Sequence, residues 1–347
     1  MTRQSDKPVI AIAAILIAVI LIGEVVVYSS DYTDYSADAT LDGGDLSYEV
    51  SADGSKTYSV IVNDNGTYGG IDRLYLYYDE SYATNYEDVD VSIGAQALDQ
   101  EYYLKQVVNL LEPRNFKEIV YLDAKQLEEK LSEDVSSGTS GDAGLLVISG
   151  ALPDTVYTGN SDDSIFEWMS SGGSLYWLGN LIGSCYATTD GLVDVDGYQE
   201  LFFGTQCLNT EGTDAAYSDI VDNGYRQALS LQSNSVKYAV NPDLLPEDRA
   251  RLSIGFTEEG YSSITFVQYG EGMICVIGGD YSNYQRNDVV QIIASGLGPQ
   301  SKIVAVESGT VTNGTVSGTI ENVSGENLSA FIYLGGYYPV YSKLIWL

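Results

Sequence analysis

The stretch Ser174–Cys185, SLYWLGNLIGSC, joins a short apolar run to a turn bracketed by glycines. Residues Leu175–Leu178 predict a buried strand, and Gly179 and Gly183 bound the turn that follows it. Many α/β enzymes keep a reactive side chain on such a turn, because the strained corner holds that side chain above the sheet. The strand and turn therefore indicate the fold class, and the side chain on the turn decides which chemistry is available.

Strand and helix patterns alternate on both sides of this stretch. Further apolar strands are predicted at residues 73–79, 117–123, 143–150 and 270–280. Amphipathic helical patterns separate them, the clearest at residues 97–111, where Pro113 ends the helix. This alternation predicts an α/β fold over residues 72–298, built on a doubly wound, mostly parallel sheet.

This order of elements resembles the class I glutamine amidotransferase-like fold. In catalytic members of that family the corner reads Leu-Gly-Ile-Cys-Leu-Gly, and its cysteine is the nucleophile. Leu178–Gly183, LGNLIG, matches this frame and places Leu181 at the nucleophile position. The family's His-x-Glu falls near Gly278–Asp280, GGD. The resemblance therefore implies a catalytically inactive member, because the nucleophile and the base work as a unit and both are missing.

The composition excludes further classes of protein. The chain has no histidine, which removes imidazole-based acid–base catalysis and most zinc and non-haem iron sites. Its 49 acidic and 16 basic residues give a net charge of −33, and no basic patch offsets them. Such a surface repels nucleic acid, so no nucleic-acid partner is expected.

The N-terminal residues predict a membrane anchor. Residues 1–7 carry Arg3 and Lys7, and residues 8–28 are apolar enough for a transmembrane signal anchor. By the positive-inside rule the short N-terminus is cytoplasmic and the bulk of this single-pass cell-membrane protein is extracytoplasmic. A cleaved signal peptide is the alternative, because Ala37–Ala39, ADA, has the small-x-small form of a cleavage site.

Three further segments flank the α/β region. Residues 29–45 read as an acidic spacer, and residues 46–71 predict a β-hairpin that turns at Asp53–Gly54. Residues 299–347 return to strict alternation and predict an antiparallel β module. We expect the N-terminal hairpin and this module to join in one sheet, since chain termini often lie together.

Several side chains are candidates for sites outside the corner. Four carboxylates follow the corner closely and could bind calcium, the one cofactor that the sequence suggests: Asp190, Asp194, Asp196 and Glu200. An acidic, solvated loop is the alternative interpretation. Cys185 and Cys207 could form a disulfide in an oxidising compartment. Asn-x-Ser/Thr sequons predict glycosylation at Asn65, Asn313, Asn322 and Asn327.

Two hypotheses for function follow. The first is a membrane-anchored extracytoplasmic protein with an inactive amidotransferase-like domain, acting in binding or cell-surface assembly with a protein or glycan partner. The second is an extracytoplasmic hydrolase that uses carboxylates such as Asp190 and Asp194, with or without a divalent metal, since carboxylate pairs do acid–base work without histidine.

Overall fold

The computed structural model describes residues 35–42, 45–64, 70–86, 100–112, 116–210, 219–220, 225–229, 231, 235–279, 283–320, 328–335 and 339–346. In these residues the strands are β1 (Tyr35–Asp42), β2 (Asp45–Asp64), β3 (Arg73–Tyr77), β4 (Glu118–Leu122), β5 (Ala143–Val147), β6 (Leu152–Pro153), β7 (Ser174–Leu178), β8 (Cys185–Ala187), β9 (Leu192–Asp194), β10 (Asp219–Ile220), β11 (Arg251–Glu258), β12 (Tyr261–Tyr269), β13 (Gly272–Ile277), β14 (Lys302–Ile320), β15 (Leu328–Gly335) and β16 (Pro339–Trp346). The helices are α1 (Gln100–Leu111), α2 (Ala124–Ser137), α3 (Ser164–Ser170), α4 (Tyr198–Phe203), α5 (Tyr225–Ala228) and α6 (Asn283–Ala294).

The largest sheet has eight strands in the order β10-β11-β12-β13-β7-β5-β3-β4. The neighbours from β13 to β4 pair in parallel, and those from β10 to β13 pair antiparallel. A small sheet of β6, β8 and β9 lies beyond the corner that follows β7. The remaining strands form a separate five-stranded sheet whose pairings are all antiparallel.

The predicted mostly parallel, doubly wound sheet with a transmembrane helix is wrong. The large sheet is mixed, and the chain has a second, wholly antiparallel sheet. The physical reason lies in two short connections, Glu259–Gly260 and Gly270–Glu271, which join β11 to β12 and β12 to β13. A parallel crossover needs a dozen or more residues, so these two-residue turns allow only hairpins. Glu259 and Gly260 both have positive φ, 51° and 83°, as a tight hairpin turn requires.

Apolar side chains of the large sheet pack on both faces. On one face Leu76, Leu146 and Leu178 pack with α1 and α6. On the other face Val147 and Trp177 pack with α2 and α3. Helix α2 also has strong local signals: Asp123 and Gln126 form a capping box, and Gly138 ends the helix in the left-handed conformation.

A buried polar cluster lies at the amino edge of the parallel strands, where β3 begins. The carboxylate of Asp134 is 1% exposed and forms an ion pair with Arg73, with an N–O distance of 2.7 Å. The hydroxyl of Tyr75 donates to the same carboxylate at 3.0 Å, and the indole N–H of Trp168 donates at 3.3 Å. These bonds tie α2 and α3 to the sheet.

The five-stranded sheet bends back on itself. Tyr48 and Tyr58 lie ten residues apart on β2, about 33 Å along a straight strand. Their ring centroids are nevertheless 6.3 Å apart, and the Tyr48 hydroxyl donates to Glu307 of β14 at 2.5 Å. The bend lies at Gly54 and Asn313, which have φ of 83° and 47° and are joined by a 2.7 Å hydrogen bond from the Gly54 N–H. The two halves of the inner face thereby enclose a small core of their own.

The prediction of a hairpin turn at Asp53–Gly54 is wrong, because β2 continues through these residues as one strand. The glycine marks a bend that β2 shares with its partner, rather than a reversal of the chain. The expectation that the N-terminal and C-terminal β segments join in one sheet is confirmed, since β14 and β15 both pair with β2.

The predicted single-pass membrane localisation is also contradicted. No helix in the described part of the chain is both long enough and apolar enough to cross a bilayer. The segment predicted to do so, residues 8–28, lies outside the described residues, as does the preceding residue range 1–7.

Candidate functional site

The corner after β7 is a tight turn with two consecutive left-handed residues. Gly179 has a φ of 77° and Asn180 a φ of 51°. Asparagine is among the few residues with a Cβ that adopt this conformation readily. The indole N–H of Trp177 donates to the carbonyls of Gly179 at 2.8 Å and Asn180 at 3.2 Å, which fixes the turn from below.

Leu181, at the predicted nucleophile position, has a hydrocarbon side chain that packs half-buried against the apolar core of the α2 and α3 face. The unusual backbone conformation belongs to its neighbour Asn180, whose side-chain amide donates to the backbone carbonyl of Asn85. The corner therefore presents an amide and a leucine, neither of which attacks a carbonyl carbon.

Cys185 is the thiol nearest the corner, and it is buried. Its S–H faces the carbonyl of Gly150 at 3.8 Å, and the Asn85 amide faces its sulfur at 3.9 Å. Burial raises the pKa of the Cys185 thiol, although hydrogen bonds from Ser184 and Asn85 oppose this effect. The thiolate is the nucleophilic form, so this environment favours the unreactive form of the side chain.

The predicted disulfide does not form. Cys185 and Cys207 are both free and buried, and so is Cys275. Burial raises the pKa of Cys207 to about 12 and that of Cys275 well above its ordinary value. All three behave as small apolar side chains of the core.

Residues 79–86, here called the corner loop, lie across the strand ends beside the turn. The Asn85 N–H donates to the Ser149 carbonyl at 2.8 Å, and the Ala83 N–H donates to the Thr188 carbonyl at 3.0 Å. The contact at Gly150 is close, since a Cβ there would lie 3.0 Å from Asn85 and 3.1 Å from Asn180. The corner loop thus covers the place where a substrate would meet the turn.

The end of β13, where the resemblance places the catalytic base, is covered by backbone. The Gly279 N–H donates to the Lys237 carbonyl at 2.7 Å, and a Cβ at Gly278 would lie 2.7 Å from the Ser235 carbonyl. The ammonium of Lys237 lies 5.0 Å from the centre of the Tyr238 ring, and Tyr238 itself has a φ of 61°. Asp280 lies outside the described residues.

The four carboxylates predicted to bind calcium do not form a metal site. Asp190 lies in the exposed turn that joins β8 to β9, whereas Asp194 lies at the far end of β9, opposite Cys185. Asp196 is exposed, and Glu200 is on α4, where it accepts a hydrogen bond from Gln206 at 3.3 Å. Among the described residues no three His, Cys, Asp or Glu side chains are grouped so that they could hold a metal ion.

Of the predicted glycosylation sites, only Asn313 lies within the described residues. It is exposed at the bend of β14, and its side-chain oxygen accepts the hydrogen bond from Gly54. The other three, Asn65, Asn322 and Asn327, lie outside that part of the chain. Glycosylation stays a prediction at all four.

A second surface of interest is the outer edge of β14, which sequence reasoning missed. Strand β14 pairs with β2 along one edge, and no other described strand pairs with its second edge. Val304 and Val306 on this strand are 50% and 56% exposed. The signal was present in the sequence as a Val- and Thr-rich run without proline or aspartate, a composition that leaves a strand edge unprotected.

Sequence comparisons found no relative: no family model matches the chain, and no curated protein matches it. Solved structures give partial similarities at low identity. They include the exo-beta-1,4-mannosidase Op5Man5 from Opitutaceae bacterium strain TAV5, with 10% identity, a TM-score of 0.33 and coverage of 64% of this chain and 34% of that one. A catalytic mutant of Gan42B, a GH42 beta-galactosidase from G. stearothermophilus, has 14% identity, a TM-score of 0.37 and coverage of 78% and 38%.

The cytoplasmic protein STM3548 from Salmonella typhimurium is matched over 97% of its length and 64% of this chain, with 11% identity and a TM-score of 0.35. The chain spans only about a third of the mannosidase and 38% of the galactosidase. At these TM-scores the similarities carry no argument about function. None of the three is named as a glutamine amidotransferase, so the predicted resemblance to that family stays a prediction.

Proposed function

We propose that this chain is a non-catalytic binding protein that acts in assembly and contacts a polypeptide partner through the outer edge of β14. The outer edge of β14, which no other described strand covers, carries the proposal. A strand edge displays a row of backbone donors and acceptors, and adding a strand to it is a recurring mode of protein recognition. Along the regular part of the β14 edge, residues 305–312, a partner strand would find both backbone groups and exposed β-branched side chains.

The turn after β7, with the corner loop beside it, supports the proposal that this chain is not catalytic. Leu181 contributes no reactive atom, burial favours the protonated form of Cys185, and the corner loop covers the turn. The alternative, a hydrolase that uses carboxylates, has less support. Such enzymes bring two carboxyl groups within about 10 Å on either side of a bond. Asp190 and Asp194 lie at opposite ends of β9 in an exposed hairpin, and both side chains are exposed rather than facing each other across a buried substrate position.

The binding half is tested by photo-crosslinking in extracts of the source cells. A photoreactive benzoylphenylalanine replaces Thr310 on the edge of β14 in one variant and Glu128, on the exposed face of α2, in the control. We expect a discrete crosslinked species from position 310 and none from position 128. Equal crosslinking at the two positions, or none at either, would overturn the proposal.

The non-catalytic half is tested by turnover assays on purified protein. Glutamine, nitrophenyl glycosides and nitrophenyl esters serve as substrates, and the variants are Cys185→Ala, Asp190→Asn and Asp194→Asn. We expect no turnover that depends on any of these three residues. Turnover that falls in Asp190→Asn or Asp194→Asn would establish the carboxylate hydrolase instead.

A further inference from the structure

We infer that the partner at the β14 edge is a second copy of this chain, with the two β14 strands paired antiparallel about a two-fold axis. This inference rests on the proposed function and names the partner for that same edge. Isologous pairing of identical surfaces is the commonest way in which soluble proteins form dimers.

Charge makes β14 a favourable place for two copies to meet. Each chain carries a net charge of −33, so most surfaces of two copies repel each other. Strand β14 is an exception, because its 19 residues include one cation, Lys302, and one anion, Glu307. Strand β1, at another edge of the same sheet, carries Asp38 and Asp42 in only eight residues. Acidic side chains of that kind protect an edge from pairing with itself, and β14 has only Glu307 among its 19 residues.

The register of β14 also suits pairing with itself. Between two irregularities, the stretch from Ala305 to Thr312 pairs with β2 without interruption, so its other edge is regular as well. A two-fold axis at Ser308 sets this stretch against its own copy. It places Val306 of each chain opposite Thr310 of the other chain. Pairs of β-branched residues across neighbouring strands stabilise a sheet, and Val306 is 56% exposed before pairing. Glu307 then faces Gly309, so the two glutamates are not directly opposed.

Sedimentation equilibrium of the 347-residue chain tests the inference. Salt screens the repulsion between the two acidic chains, since the Debye length falls from about 10 Å at 0.1 M to about 3 Å at 1 M. We expect a dimer that strengthens as KCl rises from 0.1 to 1 M. Ser308→Lys places two ammonium groups directly opposite each other at the axis, so this variant should sediment as a monomer. Ser171→Lys, the same change at an exposed residue after α3, should remain a dimer.

Disulfide capture gives a second measurement that does not require the interface to be broken. Directly opposite residues of an antiparallel pair have Cα atoms about 4.5–5.5 Å apart, within the range of Cα separations that disulfides span. Ser308→Cys should therefore form a covalent dimer under mild oxidation, and Ser171→Cys should not. The three native thiols are buried and should not interfere.

The outcomes separate the inference from the proposed function. A chain that stays monomeric at 1 M KCl, with no disulfide at position 308, overturns the inference. If position 310 still crosslinks to a different protein in extracts, the proposed function stands with another partner. A dimer that persists unchanged in Ser308→Lys would also overturn the inference, because it would place the interface elsewhere.

Discussion

At the scale of single residues, Asp134 shows how this acidic chain keeps a carboxylate in its core. Arg73 supplies the opposite charge, and Tyr75 and Trp168 supply hydrogen bonds to the same carboxyl group. A buried ion pair is expensive to desolvate, but it is more expensive still to remove one of its members and leave the other charged and alone.

Replacing Asp134 by alanine should therefore destabilise the fold by about 3–5 kcal/mol, because the Arg73 guanidinium would be left without its partner. The measurement is the free energy of unfolding in urea. Glu128→Gln, which removes one negative charge from the exposed face of α2, is the matched control and should leave the urea midpoint unchanged. A small loss in Asp134→Ala would mean that water reaches Arg73 readily in the folded protein.

The cysteines predict a specific dependence on pH. Burial raises the pKa of Cys185, and raises that of Cys207 to about 12. Unfolded thiols ionise near 8.5, so between about 8.5 and 12 the unfolded chain binds fewer protons than the folded one. Stability contributed by these thiols is thus complete below pH 8.5 and is lost as the pH rises. At pH 8.5 iodoacetamide should alkylate the native protein far more slowly than the protein in guanidinium.

Ser171→Cys provides the control for this alkylation experiment, since an exposed thiol should react at the same rate in both states. Rapid alkylation of Cys185 in the native protein would contradict its burial. It would also reopen the question of chemistry at the corner.

At the scale of single residues, some features of the candidate site could be predicted from the sequence and others could not. The lack of histidine and the leucine at position 181 are read directly from the chain. The left-handed conformation of Asn180 is compatible with the Gly-Asn pair but is not dictated by it. The corner loop could not be foreseen, because its contacts join Asn85 to Ser149 and Asn180, which are far apart in the sequence.

At the scale of elements, the bend in β2 and β14 depends on backbone conformation rather than on space. A Cβ added to Gly54 would meet nothing within 4 Å, yet the residue has a φ of 83°. Gly141, in the short 3-10 helix Ser140–Asp142, has equally open surroundings and no positive φ, so it shows the effect of an added Cβ without the left-handed conformation.

Gly54→Ala should accordingly cost about 1–2 kcal/mol, the penalty for a left-handed residue with a Cβ. Gly141→Ala should be close to neutral. Urea unfolding of the two variants side by side gives the comparison. Equal stability of the two would show that β2 passes the bend without needing a left-handed residue.

Most parallel strands and the helices between them could be located from their periodicity, because each is a local pattern of apolar residues. The antiparallel part of the large sheet was missed, since its decisive signals are only two two-residue turns, Glu259–Gly260 and Gly270–Glu271. The bend at Gly54 was misread as a hairpin for a related reason. An Asp-Gly pair indicates that the chain changes direction. The strand that β2 pairs with, whose Asn313 is 259 residues from Gly54, decides whether the chain reverses or bends.

At the scale of the whole molecule, the net charge of −33 opposes compaction. Raising KCl from 0.05 to 1 M should therefore raise the melting temperature, as the ions screen repulsion between carboxylates. Calcium chloride at matched ionic strength is the comparison for the predicted calcium site, and the dispersed, exposed carboxylates of Asp190, Asp194, Asp196 and Glu200 should add no shift beyond that of KCl. Thermal unfolding followed by circular dichroism measures both effects. A shift that saturates at micromolar calcium would show a specific site.

The pairing of β2 with β14 has a consequence for the order of events during synthesis. Asp64, the last residue of β2, lies opposite Lys302, the first residue of β14, so the α/β region interrupts what is in effect one long hairpin. A ribosome must make more than two hundred residues before the second arm exists. The first arm must wait that long with its apolar face uncovered, and the five-stranded sheet can enclose its core only after β14 has been made.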